Sequence, residues 1–508
     1  MRLSRIALAA LGLAGATLSH TVLANPIAGW SPSWTYQHRN LATGVADQSS
    51  EIPAFDAATG TLWVVGPKGV DVLDARVGSL VQHISFSALG EPNSIAIHNG
   101  IAAVAVADAS NKLNNGTVQF FDTTSRMSTG SVGVGALPDM LTFTRDGRTL
   151  LVANEAERLG AADAPGSVSI INMSTRTVTA TAGFAGVPVS GPNVRIFDGR
   201  NGTIVQDFEP EYIAISPDNT KAFVALQEAN AIATLDLATG QFTSVKGLGA
   251  KDYSQPGNAV DPTDRDYLSG NSGPTRVELR NVPLKGLYQP DAIGSYRGAD
   301  GQTYIITANE GDANFDDADL ARASTLGVKG ELARTNISTL DSTKDALYSF
   351  GARSISIWNE NMEQVFDSGS MLDALAIAAG IYNDGRSDDK GVEPEGLTLL
   401  QVGDRTLAFV GLERTLKSSV AVFDVTDPLS VSFVDFMVNE SGDLSPEGLV
   451  AYELDGFYHL AVANEVSHST TVYRLGAVAA PVPEPETYAL MLAGMAVVVA
   501  AARRRRRI

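Results

Sequence analysis

The sequence contains no cysteine, which excludes disulfides, thiolate metal centres and a cysteine nucleophile. Histidine is scarce, with six residues in 508, so imidazole-based catalysis and zinc or copper centres have little material. Positive charge is also short: 37 Lys and Arg stand against 57 Asp and Glu, a net charge of −20. That balance sets the protein against polyanions, nucleic acid first among them, and favours small cations or neutral ligands. Charged residues make up only 19% and hydrophobic ones 44%, a composition that buries a core rather than staying disordered.

Both ends of the chain read as addresses. Arg2 and Arg5 precede an apolar run over 6–18 and a small-residue site at Val22-Leu23-Ala24, the pattern of a secretory signal peptide over 1–24. The run is shorter than the ~20 residues that span a bilayer. At the other end a linker over 476–487 carries Pro483-Glu484-Pro485, followed by an apolar run over 488–502 and five arginines over 503–507. Such a run enters a bilayer and the arginines hold its end on the cytoplasmic side. The tail over 488–508 with its preceding Pro-Glu-Pro resembles the PEP-CTERM sorting signal; a simple tail anchor is the alternative. The resemblance implies export, expected here through the Sec route, with transient inner-membrane insertion through 488–502. It further implies cleavage by an exosortase-type processing enzyme and delivery to the cell surface or beyond. Removing both ends takes away seven arginines and two glutamates, so the exported body is more acidic than the precursor.

Between the ends one phrase recurs: Pro, an acid or amide, a short apolar strand, a Gly or Asp turn, and a second strand closing on an acid. Clear copies begin at Pro138-Asp139, Pro210-Glu211, Pro290-Asp291, Pro394-Glu395 and Pro446-Glu447, and weaker ones at Pro53 and Pro92. In the clear copies the second acid follows the proline by 17 to 20 residues, the length of a strand, a tight turn and a return strand. A third strand follows in most units, as at Val118 to Asp122 and Val420 to Asp424. Seven units of this kind predict an all-β fold, a seven-bladed β-propeller of four-stranded antiparallel blades over 25–475. The last unit stops after its third strand, so the segment from Trp34 to Leu41 is expected to close it. Unequal spacing places insertions at 247–286, 311–347 and 367–390, expected as polar loops with short helices at 318–323 and 371–379.

In such a ring the first strand of each unit lines the centre, and the second strand returns to the end where the first began. Asp139, Glu211, Asp291, Glu395 and Glu447 are then expected in one inner set. Glu155, Glu228, Glu310, Glu413 and Glu465 form a second set close by, with Asp312 following Glu310. Carboxylates crowded in this way need bound hard cations, basic partners or raised pKa values. Arg158, Arg297, Arg386, Lys390 and Arg414 are candidates for the partners, and an oxygen-only donor set suits Ca2+ or Mg2+, with Ca2+ the candidate cofactor. The same acids could instead be structural, tying one unit to the next through backbone amides. Asp261, Asp264 and Asp266, and likewise Asp384, Asp388 and Asp389, read as solvated loop clusters. No Gly-x-Ser-x-Gly elbow is present, and His83, His98, His459 and His468 occur in unrelated contexts.

The phrases Phe208-Glu209-Pro210-Glu211-Tyr212-Ile213, Tyr288-Gln289-Pro290-Asp291-Ala292-Ile293, Thr307-Ala308-Asn309-Glu310-Gly311-Asp312 and Ser387-Asp388-Asp389-Lys390-Gly391 resemble the choice-of-anchor I family. The resemblance implies an exported bacterial propeller, and it carries no catalytic residues across. The expected function is a surface or matrix protein that binds a partner, such as an extracellular polysaccharide or a surface protein, with Ca2+ as an aid. The alternative is a metal-dependent phosphoesterase working at the acidic mouth.

Overall fold

The computed structural model describes residues 29–476 apart from 41–42, 46–47, 160–161, 163, 197–207, 268–272, 274 and 314–318. The signal segment over 1–24, the Pro-Glu-Pro linker beyond Gly476, and the apolar and arginine-rich tail over 488–508 lie outside the described residues. Among the described residues no helix is long and apolar enough to cross a membrane.

The chain is all-β and repeats one plan. The first sheet runs Pro53–Asp56, Thr61–Gly66, Gly69–Asp74 and Leu80–Ser85, each strand antiparallel to the one before it. The second begins at Glu91–His98, the third at Pro138–Phe143, the fourth at Ile213–Ile215, the fifth at Ile293–Arg297 and the sixth at Pro394–Val402. The seventh takes three strands from the end of the body, Pro446–Leu454, Phe457–Asn464 and Ser469–Leu475, and its outermost strand, Trp30–Gln37, from the beginning. Trp30 pairs with Leu475 and Gln37 with Ser469, so the two ends of the body are fastened in one sheet.

Local sequence explains the plan. Second strands are largely apolar, and Thr61–Gly66 and Thr303–Asn309 are buried at every position. Such strands do not alternate because both faces of the sheet are covered. Outermost strands such as Ser128–Ala136 are largely exposed and rich in Ser and Gly. Asn99-Gly100 and Asp455-Gly456 join first to second strands with positive φ at both residues, the geometry of a two-residue hairpin turn that matches strand twist.

Seven buried clusters each bridge two consecutive sheets. One joins Trp63 and Val72 of the first sheet to Ile95 and Val104 of the second. The series continues to Leu407 and Phe409 of the sixth against Leu460 and Val462 of the seventh. It then returns, with Leu454 and Ala461 of the seventh packing on Leu62 and Val64 of the first. The first strands follow the same circuit, each touching the next, with Pro446–Leu454 back against Pro53–Asp56.

The insertions are more than the polar loops expected from sequence. Ala250–Asp252, Leu284–Leu287 and Leu347–Ser349 form a three-stranded sheet, and Tyr253, Val260, Leu284, Leu332 and Ile337 share a separate small core. The short helix at Met371–Ala378 is present. The one expected over 318–323 is not: Leu320–Arg322 is a strand paired with Asn336–Ser338, and a 3-10 turn begins only at Ala323. The acidic loop clusters are clamped by arginines rather than solvated. Arg334 bridges Asp264 and Asp388, and Arg280 bridges Asp261, Asp266 and Glu331.

Candidate carboxylate centre

In three of the sheets a bulge at the start of the first strand aims the acid. In the third, sixth and seventh sheets the proline pairs with the last residue of the second strand, as Pro138 does with Asn154. The register then shifts, so that Asp139, Glu395 and Glu447 fall in the irregular step. A bulge bends its strand and turns a side chain out of the ladder. The residue before the proline takes a left-handed φ at Leu137, Gln289, Glu393 and Ser445. At three of these the carbonyl accepts the amide of the second-strand acid: Glu155 N to Leu137 O at 2.9 Å, Glu413 N to Glu393 O at 2.9 Å, and Glu465 N to Ser445 O at 2.9 Å; Gln289 O accepts from Gly311 N at 3.1 Å. Each bulge therefore holds both acids of a repeat at one end of the sheet. Gly396 and Gly448 follow two of these acids, and a Cβ at either would strike the neighbouring main chain, the carbonyl of Glu447 or of Glu51.

These acids surround a cavity of about 270 Å3. Asp139, Glu395 and Glu447 line it from the first strands, Glu211 and Asp291 from two residues ahead of theirs, and Glu155 and Glu310 from just past the second strands. The other predicted acids stand just behind. Glu228 repels Glu211, Glu413 is paired with Arg414 at 2.7 Å, Glu465 acts on Glu447, and Asp312 acts with Glu228 and Lys390.

Sequence reasoning missed several members. Asn93 occupies the bulge of the second sheet, where the register shifts between Pro92 and Ser94. Gln227, not Glu228, faces the cavity and donates to Glu310 Oε2 at 2.9 Å. Glu51, ahead of Pro53, carries acidity into the first sheet. Glu393 anchors the basic residues: Arg386 at 2.6 Å, Lys390 at 3.0 Å and Arg414 at 3.9 Å. A residue before the repeat proline marks the position of Glu393, but its type varies too widely to reveal a role. Of the basic residues expected to compensate, Lys390, Arg386 and Arg414 do so. Arg297 does not; its guanidinium donates to Gly301 O in its own exposed hairpin turn. The main-chain amide of Arg158 donates to Glu209.

Electrostatics follow from burial and crowding. Burial first and neighbouring carboxylates second hold Glu155, Glu211, Asp291, Glu395 and Glu447 well above the usual carboxylate range. Asp139 is pushed up to about 6, Glu413 and Glu51 to about 7 and Asp312 to about 8, burial again leading. One buried oxygen on each of Glu211, Glu395 and Glu447 has no hydrogen-bond partner, although a buried carboxylate without compensation is costly. Asp291, Glu310 and Glu395 each offer an oxygen, and the three lie within 4.8 Å of one another; Glu310, Glu393 and Glu413 make a second such group. The second group is already neutralised by Lys390, 2.5 Å from Glu310, together with Arg386 and Arg414. In the first, only Glu310 meets these bases, through Lys390, and its other oxygen accepts from Gln227.

Among the described residues no histidine lines this cavity. His38 is buried in the seam between the first and seventh sheets, 2.7 Å from Asp71 and 2.8 Å from Thr470, and His83 binds the other oxygen of Asp71 at 2.7 Å.

A stretch covering 16% of the chain is 35% identical to gigasin-3a of Magallana gigas, and it spans only 35% of that protein. Hydrazine synthase of Kuenenia stuttgartiensis is a similar solved structure, with a TM-score of 0.48 and 13% identity over 87% of this chain and 100% of that one. The PEP-CTERM protein-sorting motif matches residues 481–507, so this is an exported protein, held in the membrane before an exosortase processes it. The choice-of-anchor I domain matches residues 51–428, from Glu51 through the sixth sheet's third strand, and the chain belongs to the choice-of-anchor I family.

Proposed function

We propose that the seven sheets are the blades of a seven-bladed β-propeller and that its acidic mouth binds one Ca2+. The exported protein then engages an extracellular polysaccharide or surface protein whose oxygens complete the ion's shell. The circuit of clusters between consecutive sheets and the shared seventh sheet support the propeller. The cation reading rests on Asp291, Glu310 and Glu395 converging within 4.8 Å inside a seven-carboxylate cavity. Oxygen donors without nitrogen or sulfur, with Asn93 and Gln227 in the same wall, favour Ca2+ and its flexible six- to eight-fold shell over zinc. The amino-terminal signal segment supports the Sec route.

A metal-dependent phosphoesterase draws support from the two carboxylate groups sharing Glu310, since adjoining cations stabilise in-line displacement. The ammonium of Lys390 already sits on that second group, which favours a single cation and a binding role. Metal content of the dialysed body, with calorimetric Ca2+ titration, tests the reading. About one retained equivalent, lost in Glu395→Gln and Asp291→Asn, is expected. A wild-type body that takes up no Ca2+ and gains no thermal stability from it refutes the cation. Ester turnover that requires Ca2+ and disappears in Glu395→Gln and Glu447→Gln would make the protein an enzyme.

A further inference from the structure

The space enclosed by the first strands has a second end, and its chemistry is the reverse of the first. Because those strands all run away from the carboxylates, their later residues line the far side. A cavity of about 310 Å3 lies there among the third to sixth sheets, at the small end of the range for ligand pockets. Phe143, Ile293 and Leu399 give it apolar walls, and Met140 and Tyr212, which also border the acidic cavity, form its inner limit. No acid lines it.

Its polar groups converge. Arg145 follows the first strand of the third sheet, with its amide held by Asn219 Oδ1 at 2.9 Å, and reaches across to the fifth sheet, where Nη2 donates to Ser295 O at 3.2 Å. Among the described residues no carboxylate pairs with this guanidinium, although the chain has twenty more acids than bases. The buried hydroxyl of Ser295, 7% exposed, has no partner, and Thr142 and Thr398 border the same space. A guanidinium fork beside an unused hydroxyl, at the rim of an apolar pocket, matches a planar carboxylate on a hydrocarbon or aromatic body.

We propose that this end of the channel binds a small monocarboxylate with an apolar body. Its carboxylate is seated on Arg145 and the hydroxyls of Ser295, Thr142 and Thr398, and its body lies against Phe143, Ile293 and Leu399. Charge fixes the orientation: an anion pushed inward would meet the carboxylates beyond Met140 and Tyr212, so the head stays at the rim. The site is independent of the cation.

Ligand-observed NMR and calorimetry on the processed protein test this with hexanoate and phenylacetate as probes, and acetate, hexanol and inorganic phosphate as controls. Hexanoate and phenylacetate are expected to bind, acetate more weakly for lack of a body, and hexanol and phosphate far more weakly. Arg145→Gln, a rim substitution that leaves the core intact, should weaken hexanoate about 10-fold or more, and Ser295→Ala should weaken it less. Glu395→Gln should bind hexanoate as the wild type does, which separates this site from the cation centre. The proposal is overturned if neither probe binds, if Arg145→Gln binds hexanoate unchanged, or if phosphate or hexanol binds as tightly as hexanoate.

Discussion

Neutralising one acid of the ring should stabilise the protein, and Glu51 is the clearest case. Its carboxyl is pushed from 4.5 up to about 7 by burial, then by repulsion from Glu465, Glu91 and Asp139, while a 2.5 Å hydrogen bond from Ser49 works the other way. Below pH ~4.5 the group is neutral in both the folded and unfolded chains, and no penalty exists. As pH rises the unfolded chain ionises first, so folding loses up to ~1.4 kcal/mol per pH unit until the folded group also ionises near 7. The full loss is roughly 3 kcal/mol above that pH, an upper figure for a group that keeps some contact with water. Glu51→Gln carries no charge and escapes the penalty, at the expense of ~1 kcal/mol for a weaker bond to Ser49. Urea unfolding of the chelated protein should therefore find Glu51→Gln more stable than wild type by ~2 kcal/mol at pH 8 and less stable by ~1 kcal/mol at pH 4. Equal differences at the two pH values, or a loss at pH 8, would refute the reasoning. Saturating Ca2+ should shrink the gain, because the ion neutralises the same field.

Gly396→Ala would set a methyl against the main-chain carbonyl of Glu447; melting curves should show a lower Tm, with the Ca2+-induced rise largely lost as the bulge holding Glu395 shifts. Trp30 is 8% exposed and packs edge-on against Phe409 at 5.0 Å. Trp30→Ala should cost ~3–5 kcal/mol and expose the strand to Gln37 to limited proteolysis. Replacing Pro483-Glu484-Pro485 with alanines should leave the protein in the membrane fraction of its host rather than outside the cell, as immunoblotting of fractions would read.

Much of the fold was legible because each element carries its own local signal. Strands buried on both faces leave unbroken apolar runs, as at Ile101–Ala107, two-residue turns leave Asn-Gly or Asp-Gly, and a bulge next to proline leaves a proline followed by an acid. Repetition made these weak signals strong. The first set of acids could be assembled from the same phrase because strand direction alone brings their ends together. What stayed hidden depends on long-range geometry. Glu51 escapes the pattern because it precedes its proline, and Asn93 because an amide fills the bulge without an acid's charge. Gln227 and Glu228 are adjacent, so no periodicity decides which of them faces inward. The insertions read as polar loops because their cohesion comes from pairs distant in sequence, such as Arg334 with Asp388 and Tyr253 with Ile337.

The seam in the seventh sheet also sets a compass for the whole molecule. Its innermost strand leaves the carboxylates, the next returns to them, and Ser469–Leu475 leaves again, so the chain departs on the side remote from the acids. Trp30, paired with Leu475, enters on that same side. Both ends of the described body thus lie together on the side opposite the carboxylates, which leaves the acidic cavity's own side clear of them.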